Sequence, residues 1–281
     1  MTDPTPTPLL APGDDELRNQ VLDLLLSKLP LPVAEGLHLA AIPHSFTVPM
    51  LAALRARGDG KDQKMADRLC QLSFITTSDE SREAEMRCFM QSDERDALNR
   101  RLIASNPVTY VSAHRRALEF RETYPNPDPF SRDQSRLYHL LFVNTAEAIG
   151  FLGRTFRAYA TDRRLAAVDR LLATAAEARP YLAALNSPYL NQLDDWLAYL
   201  GARLAQLRGE WNKSLDVLTA LRQYNTLAPD LLPFVARAYG RSLAKAAHYV
   251  EAIDEYKIAL AAFRKQKGNE AEQGFTMISL G

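Results

Sequence analysis

Residues 249–260, YVEAIDEYKIAL, are the most informative stretch of the chain. Ala252, Tyr256 and Ala259 follow one another at spacings of four and three residues, which places their side chains on one face of a helix. Gly240 lies upstream in a second segment of helical periodicity. Small residues at positions 240 and 252 allow two helices to approach closely, and Tyr256 can fill the gap to the next pair. The segment therefore predicts a tightly packed helical hairpin.

This spacing resembles the tetratricopeptide repeat, a helix-turn-helix unit that stacks into a solenoid. The best repeat spans residues 233–266. In the preceding pair of helices the corresponding places are taken by Ala202, Trp211, Ser214, Leu218 and Leu221. A looser match further upstream has Ala167, Leu171 and Thr174.

Residues 107–281 carry no strand pattern and predict an α-solenoid of tetratricopeptide-like repeats. We expect loops at the prolines, including Pro180 and Pro188, because proline ends or kinks a helix. The predicted helices are roughly 108–122, 132–143, 145–160, 163–178, 189–208, 211–224, 230–247, 249–266 and one from near 269. The last segment looks like the first helix of another repeat, so the chain either ends in a small capping helix or belongs to a longer protein.

The N-terminal part predicts a different organisation. Residues 1–14 are rich in proline and threonine and predict a disordered leader. Residues 15–106 predict a small winged-helix-like domain, in which three helices precede a β-hairpin and a further helix. The hairpin strands are predicted at 73–77 and 85–90, Thr47 is expected to cap the second of the three helices, and Ser92 to cap the helix after the hairpin. The predicted fold class is therefore mostly α, a winged helix followed by a solenoid.

Composition excludes several classes of protein. The chain has 34 Lys and Arg against 34 Asp and Glu, so a general nucleic-acid binder is not expected. Two cysteines exclude a disulfide scaffold and a four-thiolate zinc site. No apolar run is long enough to cross a membrane and no secretory signal is seen, which predicts a cytoplasmic protein.

A winged helix followed by such repeats resembles the C-terminal half of STAND-type signalling NTPases. The residues that carry the resemblance are 37–42 with Phe46, then 69–75, and the segment 138–141. The resemblance implies a sensor or partner-binding module whose nucleotide-binding domain lies in the same parent chain or operon. The chain itself departs from the family, because the segment 58–62 has Asp62 where a P-loop needs Ser or Thr.

A partner-binding surface is predicted on the inner face of the solenoid. Arg237, Arg241 and Lys245 recur every four residues on one helix face. The preceding repeat contributes Trp196, Tyr199 and Arg203. A basic stripe beside aromatic residues can hold an acidic or C-terminal peptide; the alternative is a solvated face with salt bridges between repeats. Phe234, Ala238 and Ala246 are expected on the opposite, packed side of the helix.

No catalytic constellation, metal site or cofactor site is recognised, so the chain is predicted not to be an enzyme. The leading hypothesis is a protein–protein interaction scaffold. The alternative is a winged-helix transcriptional regulator with a sensing domain; a third hypothesis is an enzyme whose site has no recognisable motif. Candidate DNA contacts are Arg55, Arg57, Lys61, Lys64 and Arg68, but Asp59, Asp62 and Asp67 lie among them.

The missing P-loop yields a first prediction. The isolated chain should neither bind nor hydrolyse ATP, because no glycine-rich loop offers backbone N–H groups to the phosphates. Isothermal titration calorimetry with ATP and Mg²⁺ should give no binding heat. Magnesium-dependent binding at micromolar affinity would contradict the prediction.

Overall fold

The structure is a computed structural model that describes residues 14–57, 60–78, 86–124, 128–223, 227–265 and 270–280. The described residues form fourteen helices and one two-stranded sheet, so the protein is mostly helical. The chain divides into two compact units, Met1–Phe120 and Arg121–Gly281. The predicted leader lies outside the described residues except for Asp14, which begins the first helix. None of the helices within these ranges has the length and apolar character needed to span a membrane.

The first unit contains five described helices, most of a sixth and the sheet. Its elements are α1 (Asp14–Lys28), α2 (Leu31–Ala40), α3 (Val48–Arg55), α4 (Asp62–Leu69), β1 (Ile75–Ser78), β2 (Arg87–Met90), α5 (Ser92–Ser105) and α6 (Pro107–Thr123). Helices α2, α3 and α4 pack against one another and bury Leu37, Leu51 and Leu69 completely. Asn99 Nδ2 on α5 donates to the Ala41 carbonyl at 3.1 Å, which ties α5 to the end of α2.

The two strands form an antiparallel ladder in which Ile75 pairs with Met90. Phe46, just before α3, adds a single bridge to Cys88 of β2, with N–H to carbonyl distances of 3.0 and 2.9 Å. Thr47 caps α3 as predicted, because its hydroxyl accepts from the Met50 N–H. Ser92 does not cap α5; Gln91 occupies that place and Ser92 is the first helical residue.

The second unit is a succession of helices that pack mainly on their neighbours along the chain. Their bounds are α7 (Pro129–Val143), α8 (Thr145–Thr161), α9 (Leu165–Ala184), α10 (Leu190–Arg208), α11 (Trp211–Gln223), α12 (Leu232–Lys245), α13 (Tyr249–Lys265) and α14 (Glu270–Leu280). Pro180 was expected to end a helix and instead lies inside α9. Tyr181 and Leu182 just beyond it are buried, so tertiary packing continues the helix where the local preference would stop it.

Helices α12 and α13 approach each other closely at Gly240. A Cβ atom added at Gly240 would lie 3.0 Å from the Ala252 carbonyl and 3.0 Å from the Tyr256 ring. Ala252 is 2% exposed and Ala259 is fully buried, as their spacing predicted. Tyr256 is also buried, whereas Tyr249, the first residue of α13, is 64% exposed and takes no part in the core.

This crossing yields a second prediction. The substitution Ala252→Leu should destabilise the protein by about 1–3 kcal/mol, because three further carbon atoms must enter a site with no free space. Thermal denaturation followed by circular dichroism measures the effect. Ala261→Leu, at an exposed position of the same helix, is the matched control and should leave the melting temperature nearly unchanged. Equal melting temperatures for the two variants would refute the close crossing.

Candidate functional site

A cavity of about 850 Å³ opens in the second unit. Residues of α8, α10, α12 and α14 form most of its wall, and we call it the groove. All six residues predicted from the sequence to bind a partner line the groove: Trp196, Tyr199, Arg203, Arg237, Arg241 and Lys245. The structure therefore brings together residues from two helices that are some 40 positions apart in the sequence.

The basic face of α12 points into the groove, but the expected division of this helix was partly wrong. Phe234 packs on Phe263 of α13 as expected, with ring centroids 5.0 Å apart, and Ala238 is buried, but both residues also line the groove beside the cations. The reason is helical geometry, since Phe234 and Arg241 are separated by seven residues, or about two turns. Ala246 is the C-cap residue of α12 and is exposed, so it does not belong to a packed side of the helix.

The described wall of the groove carries six cationic side chains and one acidic side chain. The cations are Arg154, Arg157, Arg203, Arg237, Arg241 and Lys245, and the acid is Glu272. Such a surplus is unusual for a protein whose total charge is zero. Like charges gathered in one cavity repel one another and raise the local concentration of anions.

Glu272 on α14 is the acid that meets these cations. Its side chain is only 9% exposed and forms ion pairs with Arg157 of α8 at 3.0 Å and with Arg237 of α12. Arg154, Arg203, Arg241 and Lys245 have no carboxylate within ion-pair distance in the part of the chain that the structure describes. Salt bridges between helices, the alternative weighed from the sequence, thus account for Arg237 and leave the rest of the predicted stripe uncompensated.

Arg203 is the most enclosed of the uncompensated cations. Burial lowers the pKa of its guanidinium, Tyr199 and Glu272 act in the opposite direction, and the nearby charges of Arg241 and Arg237 lower that pKa further. The guanidinium donates to Gln206 Oε1, a neutral acceptor on the same helix. A positive charge held in this environment gains much more from an anion than a solvated one would.

Aromatic rings line the groove next to the cations. The Trp196 ring lies 5.8 Å from the Tyr199 ring and 6.1 Å from the Phe234 ring, centroid to centroid. Gly153 of α8 makes room for the indole, because a Cβ there would be 3.1 Å from the ring. The indole N–H is buried and meets no hydrogen-bond acceptor among the described residues. The groove therefore offers aromatic surface beside the cationic side chains.

Trp211, the first residue of α11, contacts the two outermost cations. The Arg241 guanidinium lies 5.7 Å and the Lys245 ammonium 5.6 Å from its ring centroid. Cation–π contacts hold both side chains in place without neutralising them. Both cations thus stay available to an anionic ligand.

A buried polar network fixes the angle between the groove helices. Gln206 Nε2 on α10 donates to the Ala238 carbonyl and to Ser242 Oγ of α12, each at 2.8 Å. Ser242 Oγ is also 3.1 Å from Ser214 Oγ of α11. Because a buried polar group without a partner costs about 1–3 kcal/mol, these bonds hold α10, α11 and α12 in one arrangement.

The groove residues that sequence reasoning missed include Arg154, Arg157, Glu272 and Phe275. Arg154 and Arg157 lie on α8, where the repeat spacing was too irregular to assign a register. Glu272 sits in a segment that looked like an ordinary stacking helix. The order of the helices could have indicated these residues, because the helices that form most of the groove wall, α8, α10, α12 and α14, alternate along the chain with the other helices of the unit.

Other chemistry-bearing residues have structural roles. His38 Nδ1 donates to the Ala34 carbonyl at 2.9 Å, and burial lowers the pKa of this histidine. His139 is buried and its ring lies 5.4 Å from that of Tyr138. Within the described ranges, no three His, Cys, Asp or Glu side chains are placed to hold a metal ion.

Comparison of the chain with protein-family models, with curated proteins and with solved structures returned no match. The resemblance to STAND-type proteins therefore stays a prediction. The function has to be inferred from the groove's own residues, and the feature that distinguishes them is their uncompensated positive charge.

Proposed function

We propose that this chain is a non-catalytic interaction scaffold whose groove binds an acidic segment of a protein partner. The observation that carries the proposal is the charge of the groove, six cations against one carboxylate. Four of these cations have no ion-pair partner among the described residues. An acidic ligand would relieve their mutual repulsion and form charge-assisted hydrogen bonds with them.

A carboxylate-bearing peptide fits the groove better than a simple inorganic anion. The cations are spread over three helices, so one small ion could not reach them all. Apolar surface from Trp196, Phe234 and Phe275 lies between the charges and suits the side chains of a peptide. The pairing of Glu272 with Arg157 and Arg237 is an internal example of carboxylate recognition in this cavity.

The finer architecture belongs to the same proposal. We assign α8 to α13 to tetratricopeptide-like helix pairs, on the strength of the close Gly240–Ala252 crossing and the alternation of groove helices with rear helices. We assign residues 15–106 to a winged-helix-like domain, supported by three packed helices, a hairpin and the bridge at Phe46. The proposed cellular role is the sensor or partner-binding part of a cytoplasmic STAND-like signalling protein, with a nucleotide-binding domain supplied elsewhere.

The candidate DNA-binding residues favour the scaffold over the regulator. Arg55 pairs with Asp62, and the Arg57 guanidinium lies 2.9 Å from the Glu35 carboxylate. These two ion pairs compensate two of the five candidate cations with the protein's own carboxylates. A phosphate backbone is bound by cations that are free to exchange their counterions.

The groove charge yields a third prediction. The double variant Arg241→Glu/Lys245→Glu should weaken binding of a fluorescent glutamate-rich peptide by at least about a hundredfold, since each charge-assisted bond is worth about 1.5–3 kcal/mol. Fluorescence anisotropy measures the dissociation constant, and added salt should weaken the wild-type complex. Arg237 is left unchanged because it holds Glu272.

Two controls make this experiment specific. The variant Lys213→Glu/Lys257→Glu makes the same change in charge at exposed positions outside the groove, and it should bind the peptide almost as the wild type does. A glutamine-rich version of the peptide should not bind at all. Equal affinity of the groove variant and the wild type would refute the proposed function, provided that circular dichroism gives the same helicity for both.

A further inference from the structure

We propose that α14 is an internal ligand of the groove, standing in for an acidic amphipathic helix of the partner and displaced when that helix binds. The inference rests on the proposed function, because it concerns the same groove. It adds the kind of segment that is recognised and the element of the chain that competes with it.

The position of Glu272 is the first observation. Its nearly buried carboxylate is held between Arg157 of α8 and Arg237 of α12, two helices far from α14 in the sequence. A carboxylate leaves water at a high free-energy cost unless cations replace its hydration. The two guanidinium groups supply that replacement, and they would do the same for a carboxylate brought by another helix.

The apolar residues of α14 are the second observation. Phe275 and Ile278 follow Glu272 at the third and sixth positions and line the groove with it. They remain 61% and 77% exposed, so they contribute little hydrophobic stabilisation. Beyond Glu272, α14 is held by the buried Thr276, by the half-buried Leu280, which packs on the cluster around Leu243, and by Gln273, whose Nε2 donates to the Phe263 carbonyl of α13 at 3.4 Å. Glu272 is the one buried charged side chain among the described residues of α14, and its two ion pairs tie this helix to α8 and α12.

The charge left over is the third observation. Helix α14 brings one carboxylate to a groove of six cations. Among the described residues it leaves four of them without an ion-pair partner: Arg154, Arg203, Arg241 and Lys245. A partner helix with the same pattern, an acid followed by apolar residues at the third and sixth positions, and with further acids along that face would satisfy more of them. Such a helix can displace α14 although α14 has the advantage of being tethered, which corresponds to an effective concentration of about millimolar.

The test uses the full chain and two labelled peptides. One peptide has the sequence of residues 270–280, EAEQGFTMISL; the other has glutamine in place of the glutamate that corresponds to Glu272. The protein variant Glu272→Gln should bind the first peptide at least about tenfold more tightly than the wild type does, because the tethered competitor is weakened. Glu270→Gln, an exposed change of the same charge in the same helix, should not alter the affinity. The glutamine peptide should bind neither form.

Hydrogen exchange reports the displacement directly. Binding of a glutamate-rich peptide to the wild type should increase amide exchange in α14 and decrease it in α12. Without peptide, Arg157→Gln should also increase exchange in α14, whereas Arg154→Gln, a groove arginine that does not pair with Glu272, should not. Arg157 is 65% exposed, so this comparison remains valid even if Glu272→Gln impairs folding.

The outcomes separate this inference from the proposed function. If glutamate-rich peptides bind while α14 keeps its protection and Glu272→Gln leaves the affinity unchanged, then α14 is a fixed wall and the inference is overturned. The scaffold function would stand in that case. If no acidic peptide binds the wild type or Glu272→Gln, the proposed function itself fails.

Discussion

The close approach of α12 and α13 at Gly240 is the constraint on which the rest of the second unit depends. With Gly240 against Ala252 and Tyr256, α12 cannot rotate about its axis without a backbone clash. Successive residues are about 100° apart around a helix, so Arg237, Arg241 and Lys245 are fixed roughly 60–140° from that contact. The packing residue and the groove residues are therefore not independent features. The glycine at the crossing thus helps to set the direction of three cations.

The positive charge of the groove follows from that placement, and the repulsion between its cations would by itself destabilise the fold. Arg203 is desolvated beside Arg241 and Arg237, and no carboxylate of the described residues pairs with it. The fold tolerates this because Gln206 links α10 to α12 through neutral hydrogen bonds and Glu272 compensates two of the other cations. Stability is thus supplied by neutral packing and hydrogen bonds, while the charges remain available for binding. Functional sites commonly contain locally destabilising interactions that are offset by stabilising interactions in the rest of the protein.

Much of the helical architecture is predictable from the sequence, because it depends on local periodicity. The predicted helix over 211–224 corresponds to Trp211–Gln223, and that over 249–266 to Tyr249–Lys265. The local preference of Pro180 gives the wrong prediction, because the helix continues past it and the residues that follow are buried. The groove was predictable only in part. The four-residue repeat of α12 could be read directly, whereas the pairing of Glu272 with Arg157 joins positions more than a hundred residues apart. No local pattern encodes such a pair, since it depends on the stacking of four helices.

The neutral total charge hides a strong separation of charges. Equal numbers of acidic and basic residues argue against general binding of polyanions, yet the groove is strongly cationic. Because the total charge is zero, the groove's surplus of five positive charges is matched by an equal surplus of acidic residues in the rest of the chain, which also contains locally neutral pairs such as Arg179 with Asp194 and Arg222 with Glu255. A distant polyanion therefore experiences almost no net attraction, because screening removes fields beyond about 10 Å. A segment that enters the groove experiences an intense positive potential. This arrangement favours ligands whose shape and charge pattern match the groove at short range. Glu272, which already pairs with two of these cations, shows the kind of acidic group that the groove binds.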